Sequence, residues 1–262
     1  MTAVEDIARK VESLSGHSLN ADEGVFHGSP NSQIKGATVC WMATPDAIEA
    51  TAAAGHSLVI GHESLFLPYN FQTDPNLPEG WKDWPFNRQR VGLLDKHDLS
   101  FMRLHGSVDD ICIFDVFAAE LGLGAPDFVD GLVKVYEIAE CTLAELVERV
   151  KRCFSMPTLR VSVPSDMQSK VRRVGLPWGG LGLFVNVKYQ QRLVEQDCDV
   201  FIAGEADNYG FRFAAESGIP MIETSHEISE NPGLRRFTDI LSEAFPETIF
   251  SYYENDCIWQ TI

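Results

Sequence analysis

Short apolar runs alternate with helical segments along this chain, and the alternation predicts an α/β fold. Three runs, at 58–60, 200–203 and 221–224, have the length and apolar content of buried strands. A stretch with a helical pattern precedes each run. The first of these helices starts at Thr44-Pro45, because Thr caps an amino end well and Pro fits the first turn. Helices that alternate with buried strands indicate βαβ units and a largely parallel sheet.

Residues 121–126, Leu-Gly-Leu-Gly-Ala-Pro, are typical of a helix exit followed by a turn. The pattern of elements is similar on both sides of this turn. We therefore predict two α/β halves, 1–125 and 126–262, packed as one unit around a shared cleft. The expected architecture consists of layered sheets with helices.

The second half begins with a different set of elements. A strand is predicted at 132–138 and another at 159–163. Between them, 142–154 has the apolar spacing of an amphipathic helix. Thr142, with Glu145 three residues later, forms the capping box that begins such a helix.

The segment 67–90 differs from its surroundings, since it contains four prolines and several large aromatic residues. This density of proline predicts irregular structure, while the aromatic content is too high for a disordered linker. Two interpretations remain open. The segment is either a loop packed on the body or in a subunit interface, or a mobile lid over a site at the end of the strand at 58–60.

The amino-acid composition argues against some classes of binding partner. The 262 residues are 45% apolar and 23% charged, with a formal net charge of −17. A chain of this length buries enough surface to fold without disulfides or structural metals. The acidic balance argues against nucleic acids and anionic membranes, because both need clusters of Lys and Arg. We expect neither as a partner, and no apolar stretch is long enough for a membrane span.

The cysteines indicate a reducing compartment. The chain has six, scattered and without a C-x-x-C pair, and several lie in apolar runs, as Cys112 and Cys198 do. Such cysteines are usually buried, reduced thiols. The first residues are acidic and lack the apolar core of a signal peptide. These features predict a cytoplasmic protein.

Side chains that can bind metals follow the three buried runs. His62 and Glu63 follow the first, Glu205 the second, and His226 the third. We expect them to converge, because the carboxyl ends of parallel strands form the ligand sites of α/β sheets. His226 and Glu230 are four residues apart, so one helical turn places both on the same side. The pattern predicts one site of His and carboxylate ligands, most simply for a pair of divalent metal ions.

A fourth fragment, His105-Gly-Ser-Val-Asp109, follows another apolar run at 99–104. Asp109 is a candidate metal ligand. Asp109 or Asp110 would also serve as the N-cap of a helix predicted at 111–121. His105 is either a hydrogen-bond partner within the site or a proton carrier.

Each candidate also has an ordinary structural explanation. A single histidine such as His62 is often a satisfied polar residue at the edge of the core, and Glu205 alone would be a solvated loop carboxylate. Glu227 adjoins His226 but would point elsewhere on a helix, so we exclude it. The glycine-rich segment 178–182 lacks a nucleotide-binding spacing and is better explained by close backbone packing than by anion binding.

Together the fragments resemble the NIF-three-like (YbgI-like) dinuclear-metal proteins, which include homologues of a type 2 GTP cyclohydrolase 1. That family has a paired His-His after a strand, then H-[TS]-N-x-D, T-G-[ED] and G-H-x-x-[ST]-E motifs. They occur here in the family's order, at 61–63, 105–109, 203–205 and 225–230. The early segment 22–28 is also similar to the family's D-x-G-L-x-x-G opening.

The resemblance implies five metal ligands for two ions: His62, Glu63, Asp109, His226 and Glu230. By the same resemblance Glu230 would bridge the ions and His105 would line the site. If the protein is an enzyme, we expect His105 to be the acid/base and Glu205 a positioning group. Glu63 stands where the family has its second histidine. A carboxylate there shifts the preference toward harder ions such as Mn or Mg, with Zn or Fe still open.

The resemblance also implies a function and an assembly. If the protein is an enzyme, it hydrolyses a small molecule, a nucleotide or similar heterocycle, with two divalent metal ions as cofactors. The alternative is a non-catalytic metal-binding, regulatory or scaffold oligomer. Related proteins form toroidal hexamers, so a homo-hexamer is expected. The chain is too short for the inserted middle domain of the family's longer members.

Overall fold

The fold is described from a computed structural model, for residues 2–67, 77–162 and 166–259. Within these three stretches, no helix combines the length and the apolar character needed to cross a membrane. All elements given below fall inside these described residues.

The strands, in chain order, are β1 (Gly24–His27), β2 (Gly36–Cys40), β3 (Leu58–Gly61), β4 (Ser100–Arg103), β5 (Phe128–Asp130), β6 (Val133–Thr142), β7 (Arg160–Val161), β8 (Lys170–Gly175), β9 (Val200–Ala203), β10 (Met221–Glu223) and β11 (Ile249–Tyr253). The helices are α1 (Val4–Ser15), α2 (Pro45–Ala53), α3 (Pro85–Lys96), α4 (Gly106–Val108), α5 (Phe114–Glu120), α6 (Leu143–Cys153), α7 (Val187–Val194), α8 (Asn208–Glu216) and α9 (His226–Ala244). Short 3₁₀ turns cover Trp81–Asp83 and Phe184–Asn186, and a π-helical segment covers Asp109–Ile113.

The chain divides into two compact units. Unit 1 consists of Met1–Ile113 with Gly233–Asn255, and unit 2 of Phe114–Pro232 with Asp256–Ile262. Each unit contains one sheet and several helices, and the predicted α/β class is confirmed. The division predicted from sequence lay after residue 125 and did not include the return of the last strand to the first unit.

Unit 1 contains a five-stranded sheet in the order β1-β4-β3-β2-β11. The last four of these strands run parallel, and β1 pairs antiparallel with β4 at one edge. β2 and β3 are buried along their whole length, as expected for parallel strands covered on both faces. Ile48 of α2 and Leu94 of α3 pack with Val59 and Phe101 of the sheet in one apolar core.

Unit 2 contains a six-stranded sheet in the order β5-β6-β8-β9-β10-β7. β8, β9 and β10 run parallel, while β5, β6 and β7 pair antiparallel. Its core joins Leu193 of α7 and Ala214 of α8 to Phe201 and Met221 of the sheet. β7 lies within the strand predicted at 159–163, whose residue 163 is outside the described part.

Local signals placed the start of α2 correctly. Thr44 caps α2, where its hydroxyl accepts the N–H of Ala47 at 3.3 Å, and Pro45 is the first helical residue. Gly55 follows this helix in the left-handed conformation, with φ of 72°, which a residue without Cβ adopts at little cost. β9 has the bounds that its apolar run predicts.

The capping box of α6 is present in both directions. The Thr142 hydroxyl accepts the N–H of Glu145 at 3.2 Å, and Glu145 Oε2 accepts the N–H of Thr142 at 2.7 Å. We expect Thr142→Ala to lower the free energy of unfolding by about 1 kcal/mol, because it leaves an amide of the first turn without its acceptor. Urea unfolding followed by circular dichroism measures this. Thr142→Ser keeps the hydroxyl and is the control. Equal losses in the two variants would contradict the prediction.

The segment 67–90 is more regular than predicted. Its residues 68–76 lie outside the described part of the chain. Beyond them, α3 begins at Pro85, a position that suits proline because its ring fits the first turn of a helix. The prediction that the whole segment is irregular was therefore wrong. Trp81 is buried, with its ring edge-on to Phe66 at 5.3 Å between centroids. In its described part the segment therefore packs on the body of unit 1.

The helix predicted at 111–121 begins earlier than expected. Helical backbone starts at Gly106 and continues through the π-helical segment into α5. Asp109 and Asp110 lie inside this helical run, so the prediction that one of them is its N-cap was wrong. A carboxylate from another part of the chain accepts the amides at its start, as described below.

All six cysteines lie in the described residues, and each is a free thiol. Burial raises the pKa of the Cys40 thiol to about 12 and that of Cys198 also to about 12. Both therefore stay protonated near neutral pH and behave as small apolar side chains.

Candidate functional site

In unit 1, the candidate ligands follow the carboxyl end of β3. The N–H groups of His62 and Glu63 donate to the carbonyls of Cys40 at 3.1 Å and Trp41 at 2.7 Å, so pairing with the β2 segment continues past the strand. Both side chains are buried, with His62 1% and Glu63 5% exposed. Their backbone is thus held in place before any ligand binds.

The imidazole of His62 has a defined tautomer. Its Nδ1 lies 3.1 Å from the carbonyl oxygen of Leu104, which can only accept, so Nδ1 carries the proton. In the neutral ring Nε2 then bears the lone pair, and it lies 3.8 Å from Oδ1 of Asp109. Histidines that bind metals are commonly oriented by such a bond from the other ring nitrogen.

His105 lies beside His62, with 4.8 Å between their ring centroids. Its Nδ1 is 3.1 Å from Oδ2 of Asp22, so this ring too is held by an oxygen acceptor. His62, Glu63 and His105 each offer a ligand atom, and these atoms lie within 4.8 Å of one another. Unit 1 therefore brings together three of the residues singled out from sequence, with Asp109 beside His62.

Asp22 and Arg103 connect these side chains. Arg103 Nη1 donates to Asp22 Oδ2 at 2.9 Å, and its Nε donates to the His62 carbonyl at 3.1 Å. Its Nη2 lies 3.6 Å from Glu63 Oε2. The hydrogen bond with His105, assisted by the Arg103 charge, holds the pKa of Asp22 below its usual value. Asp22 is therefore ionised at neutral pH and acts as an acceptor only.

Glu23 holds the start of the helical run that carries Asp109. Its Oε1 accepts the N–H of His105 at 2.6 Å and that of Ser107 at 3.0 Å. Its Oε2 accepts the N–H of Asn20 at 2.7 Å and the Ser107 hydroxyl at 2.6 Å. A carboxylate at the amino end of a helix is favoured electrostatically as well. Sequence reasoning missed Glu23, whose only signal was its position in the early 22–28 segment.

In unit 2, the second group of candidates surrounds the start of α9. His226 is the first residue of this helix, and its Nε2 lies 3.3 Å from Oε1 of Glu230, one turn later. Its Nδ1 lies 3.1 Å from Oε2 of Glu205, and this hydrogen bond lowers the pKa of Glu205. The ionised Glu205 accepts, so Nδ1 donates. In the neutral ring the Nε2 lone pair then faces a carboxylate oxygen, a contact that is favourable only with a cation, either a proton or a metal ion, between them.

The loop that carries Glu205 is anchored by an ion pair. Glu223 Oε1 accepts the N–H of Ala206 at 3.2 Å and pairs with Arg160, whose Nη2 donates to the Ala206 carbonyl at 3.0 Å. Burial raises the pKa of Glu223, and Arg160 opposes that rise. Local sequence patterns do not reveal this role, because Glu223 lies within a buried apolar run.

The glycine-rich segment packs directly against the second group. Gly179 donates its N–H to the Ser229 hydroxyl at 3.0 Å, and its carbonyl accepts the N–H of Glu205 at 2.7 Å. Its φ is +50°, and a Cβ at this position would overlap Glu230 Oε1. Glycine is therefore required here by close approach, and the interpretation as backbone packing agrees with this geometry.

His62, His105 and His226 share one arrangement. In each ring Nδ1 is bonded to an oxygen acceptor, which leaves Nε2 as the ligand atom in the neutral form. Imidazole nitrogens combined with carboxylate oxygens suit Zn, Mn and Fe, and a carboxylate-rich set also suits Mg. The residues present therefore fit divalent metal ions.

The family model described as Duf34/NIF3 (NGG1p interacting factor 3) matches residues 2–256. A Neisseria meningitidis serogroup A protein named GTP cyclohydrolase 1 type 2 homolog is 22% identical over 220 residues, covering 80% of each chain. The sequence resemblance is thus confirmed.

Solved structures show the same fold. A Bacillus cereus protein related to NIF3 superposes with a TM-score of 0.80 at 14% identity, over 100% of this chain and 99% of that one. A structure of protein ybgI gives 0.78 at 17% identity, over 98% and 100%. Identities this low support the fold alone. Since the family model spans nearly the whole sequence, this chain belongs to the Duf34/NIF3 family.

Proposed function

We propose that this protein binds two divalent metal ions and uses them to hydrolyse a nucleotide or a similar heterocycle. The proposed ligands are His62, Glu63, Asp109, His226 and Glu230. Membership of the Duf34/NIF3 family supports the proposal, as does the name of the Neisseria relative.

The observation that best supports the proposal is the orientation of two histidine rings. His62 and His226 both donate Nδ1–H to an oxygen, and both direct Nε2 toward a carboxylate. A lone pair that faces an anion is unfavourable in a chain that already carries a net charge of −17. Divalent cations would remove that repulsion and use the nitrogen and oxygen lone pairs as ligands.

His105 and Glu205 have separate proposed roles. His105 serves as the acid/base, since its Nε2 is available while Asp22 holds Nδ1. Glu205 positions His226 through the bond to Nδ1. The bound ions would supply the activation of water and the polarisation of the group under attack.

Glu63 determines which ions are favoured. Three of the five proposed ligands are carboxylates, and this set favours Mn or Mg over softer ions. Arg103, 3.6 Å from Glu63, compensates part of the added negative charge. We therefore propose a site that tolerates Zn and Fe but prefers a harder ion.

Elemental analysis of protein purified without chelators is the first test. We expect two divalent ions per chain, and absence of bound metal after reconstitution would refute the proposal. Turnover is then measured on nucleotides, GTP included, with Mn, Zn, Fe or Mg. The enzyme is supported when His62→Ala abolishes turnover in a folded protein. His97→Ala is the matched control, because His97, at the end of α3, pairs with Glu49 on α2 and is not one of the proposed ligands.

Bound metal without turnover on any nucleotide would favour the second function, a non-catalytic metal-binding or scaffold oligomer. The close packing of Gly179 against Glu230 is the observation in its favour, because a Cβ on Gly179 would overlap Glu230 Oε1, which fits a packed segment better than an open phosphate-binding loop. For either function we propose a homo-oligomer, a hexamer by family resemblance. Light scattering coupled to size exclusion measures the assembly.

A further inference from the structure

We infer that Asp22 is a positioning residue that keeps His105 in the tautomer with the proton on Nδ1, so that Nε2 is the working atom. The inference rests on the proposed function for the role of His105. The tautomer itself is a property of the metal-free chain and is tested separately.

The contact that carries the inference is the one between Asp22 Oδ2 and His105 Nδ1, at 3.1 Å. An ionised carboxylate has no proton to donate, so the imidazole must be the donor. Rotation of the ring by half a turn would place a C–H group against the carboxylate and lose the bond. Asp22 therefore selects both the tautomer and the ring orientation.

Asp22 is itself held from a second side. Arg103 Nη1 donates to its side-chain Oδ2 at 2.9 Å and approaches its backbone carbonyl at 3.4 Å. The Asp22 side chain is 13% exposed, so water competes little for these bonds. Arg103 also donates to the His62 carbonyl, which ties the orienting carboxylate to the segment that bears the proposed ligands.

The backbone of His105 is fixed independently. Glu23, next to Asp22 in the chain, accepts the His105 N–H at 2.6 Å. Two consecutive acidic residues therefore act on one histidine, Glu23 on its main chain and Asp22 on its ring. This division makes Asp22 the residue whose removal changes the ring while the backbone stays in place.

Another histidine provides a matched comparison. Asp110 Oδ2 lies 3.1 Å from Nε2 of His17, the same separation as in the Asp22 pair, but both side chains are well exposed. His17 Nδ1 lies 2.7 Å from the Ser18 carbonyl. That hydrogen bond, with help from Asp110, raises the pKa of His17. The His17 pair is thus an ion pair at the surface, unlike the largely buried Asp22 carboxylate.

The experiment records long-range proton–nitrogen correlations from protein labelled with ¹⁵N in the histidine rings, first metal-free and then with Zn. His105→Gln identifies the His105 signals by their loss. In the original chain we expect the proton on Nδ1 of His105. In Asp22→Ala we expect that state to be lost, and the ring to take up or exchange with the Nε2–H form. Asp110→Ala is the control and should leave the His105 signals unchanged.

Two results would overturn the inference: an Nε2–H ring in the original chain, or an unchanged Nδ1–H ring in folded Asp22→Ala. If Asp22→Ala does not fold, Asp22→Asn replaces it. Its neutral amide oxygen is a weaker acceptor than a carboxylate, so the Nδ1 proton of His105 should shift upfield. An unshifted proton in that variant would also refute Asp22 as the orienting group.

Metal and turnover measurements separate this inference from the proposed function. Asp22→Ala should retain two ions per chain, while kcat on the nucleotide that is turned over falls about 10-fold or more at nearly constant KM. If neither the original chain nor Asp22→Ala binds metal, the proposed function is refuted, while the tautomer result is unaffected. If Asp22→Ala has the same kcat as the original chain, Asp22 is not a positioning residue for catalysis.

Discussion

Glu230→Ala is expected to release bound divalent metal and to lower the affinity for it more than about 100-fold, since loss of an outer partner of a ligand already costs 10- to 100-fold. Glu230 is 3% exposed, and its Oε1 lies 3.3 Å from Nε2 of His226. A buried carboxylate in that position is costly unless a cation compensates it. Removing it takes away one ligand and much of the negative charge that attracts the ion.

Titration calorimetry with Mn or Zn, together with elemental analysis, measures this effect. Glu227→Ala is the matched control, because Glu227 lies in the same turn of α9 and is 4% exposed, yet belongs to no group of candidate ligands among the described residues. We expect Glu227→Ala to keep its metal. Equal losses in the two variants would show that the effect comes from the helix start in general, and equal retention would exclude Glu230 as a ligand.

Glu23→Ala is expected to lower the free energy of unfolding by about 3 to 5 kcal/mol. Glu23 accepts four hydrogen bonds: two from the backbone N–H groups of His105 and Ser107 at the helix start, one from the Ser107 hydroxyl and one from the N–H of Asn20. Ser107 is fully buried, so its donors cannot turn to water. Each buried donor left without an acceptor costs about 1–3 kcal/mol.

Urea unfolding measures the loss, with Glu12→Ala as the control. Glu12 lies in the same unit, and its side chain accepts the backbone N–H of Leu19 at 3.2 Å. Its removal should cost about 0.5–1.5 kcal/mol, the net value of one ordinary hydrogen bond. If Glu23→Ala proves no less stable than Glu12→Ala, then Glu23 does not hold the helix start as its geometry indicates.

The strands that end near the candidate ligands were predictable because their signals are local. Length and unbroken apolar character identified β3 and β9, and both carry a candidate side chain within two residues of their ends. The helix spacing of His226 and Glu230 is equally local, since one turn brings i and i+4 together. For the same reason the Thr44 and Thr142 caps were found without knowledge of the fold.

The start of the helix that carries Asp109 shows where such reasoning fails. From the neighbouring sequence alone, Asp109 or Asp110 is predicted to cap the helix, because Asp is a good N-cap. In the structure the acceptor is Glu23, 84 residues away from Ser107 along the chain. β1, which Glu23 directly precedes, pairs with β4, and this long-range pairing brings the carboxylate to the helix start.

The sequence alone therefore determined the α/β class, the buried strands and the set of candidate metal ligands, because these depend on short-range periodicity and side-chain chemistry. Tertiary structure decided which other side chains position these candidate residues: Asp22 and Arg103 position His105, and Glu223 anchors the loop that carries Glu205. It also decided that β11, the last strand, pairs with β2 near the start of the chain. Strand order and charge pairing join residues far apart in sequence, and no local pattern records which of them become neighbours.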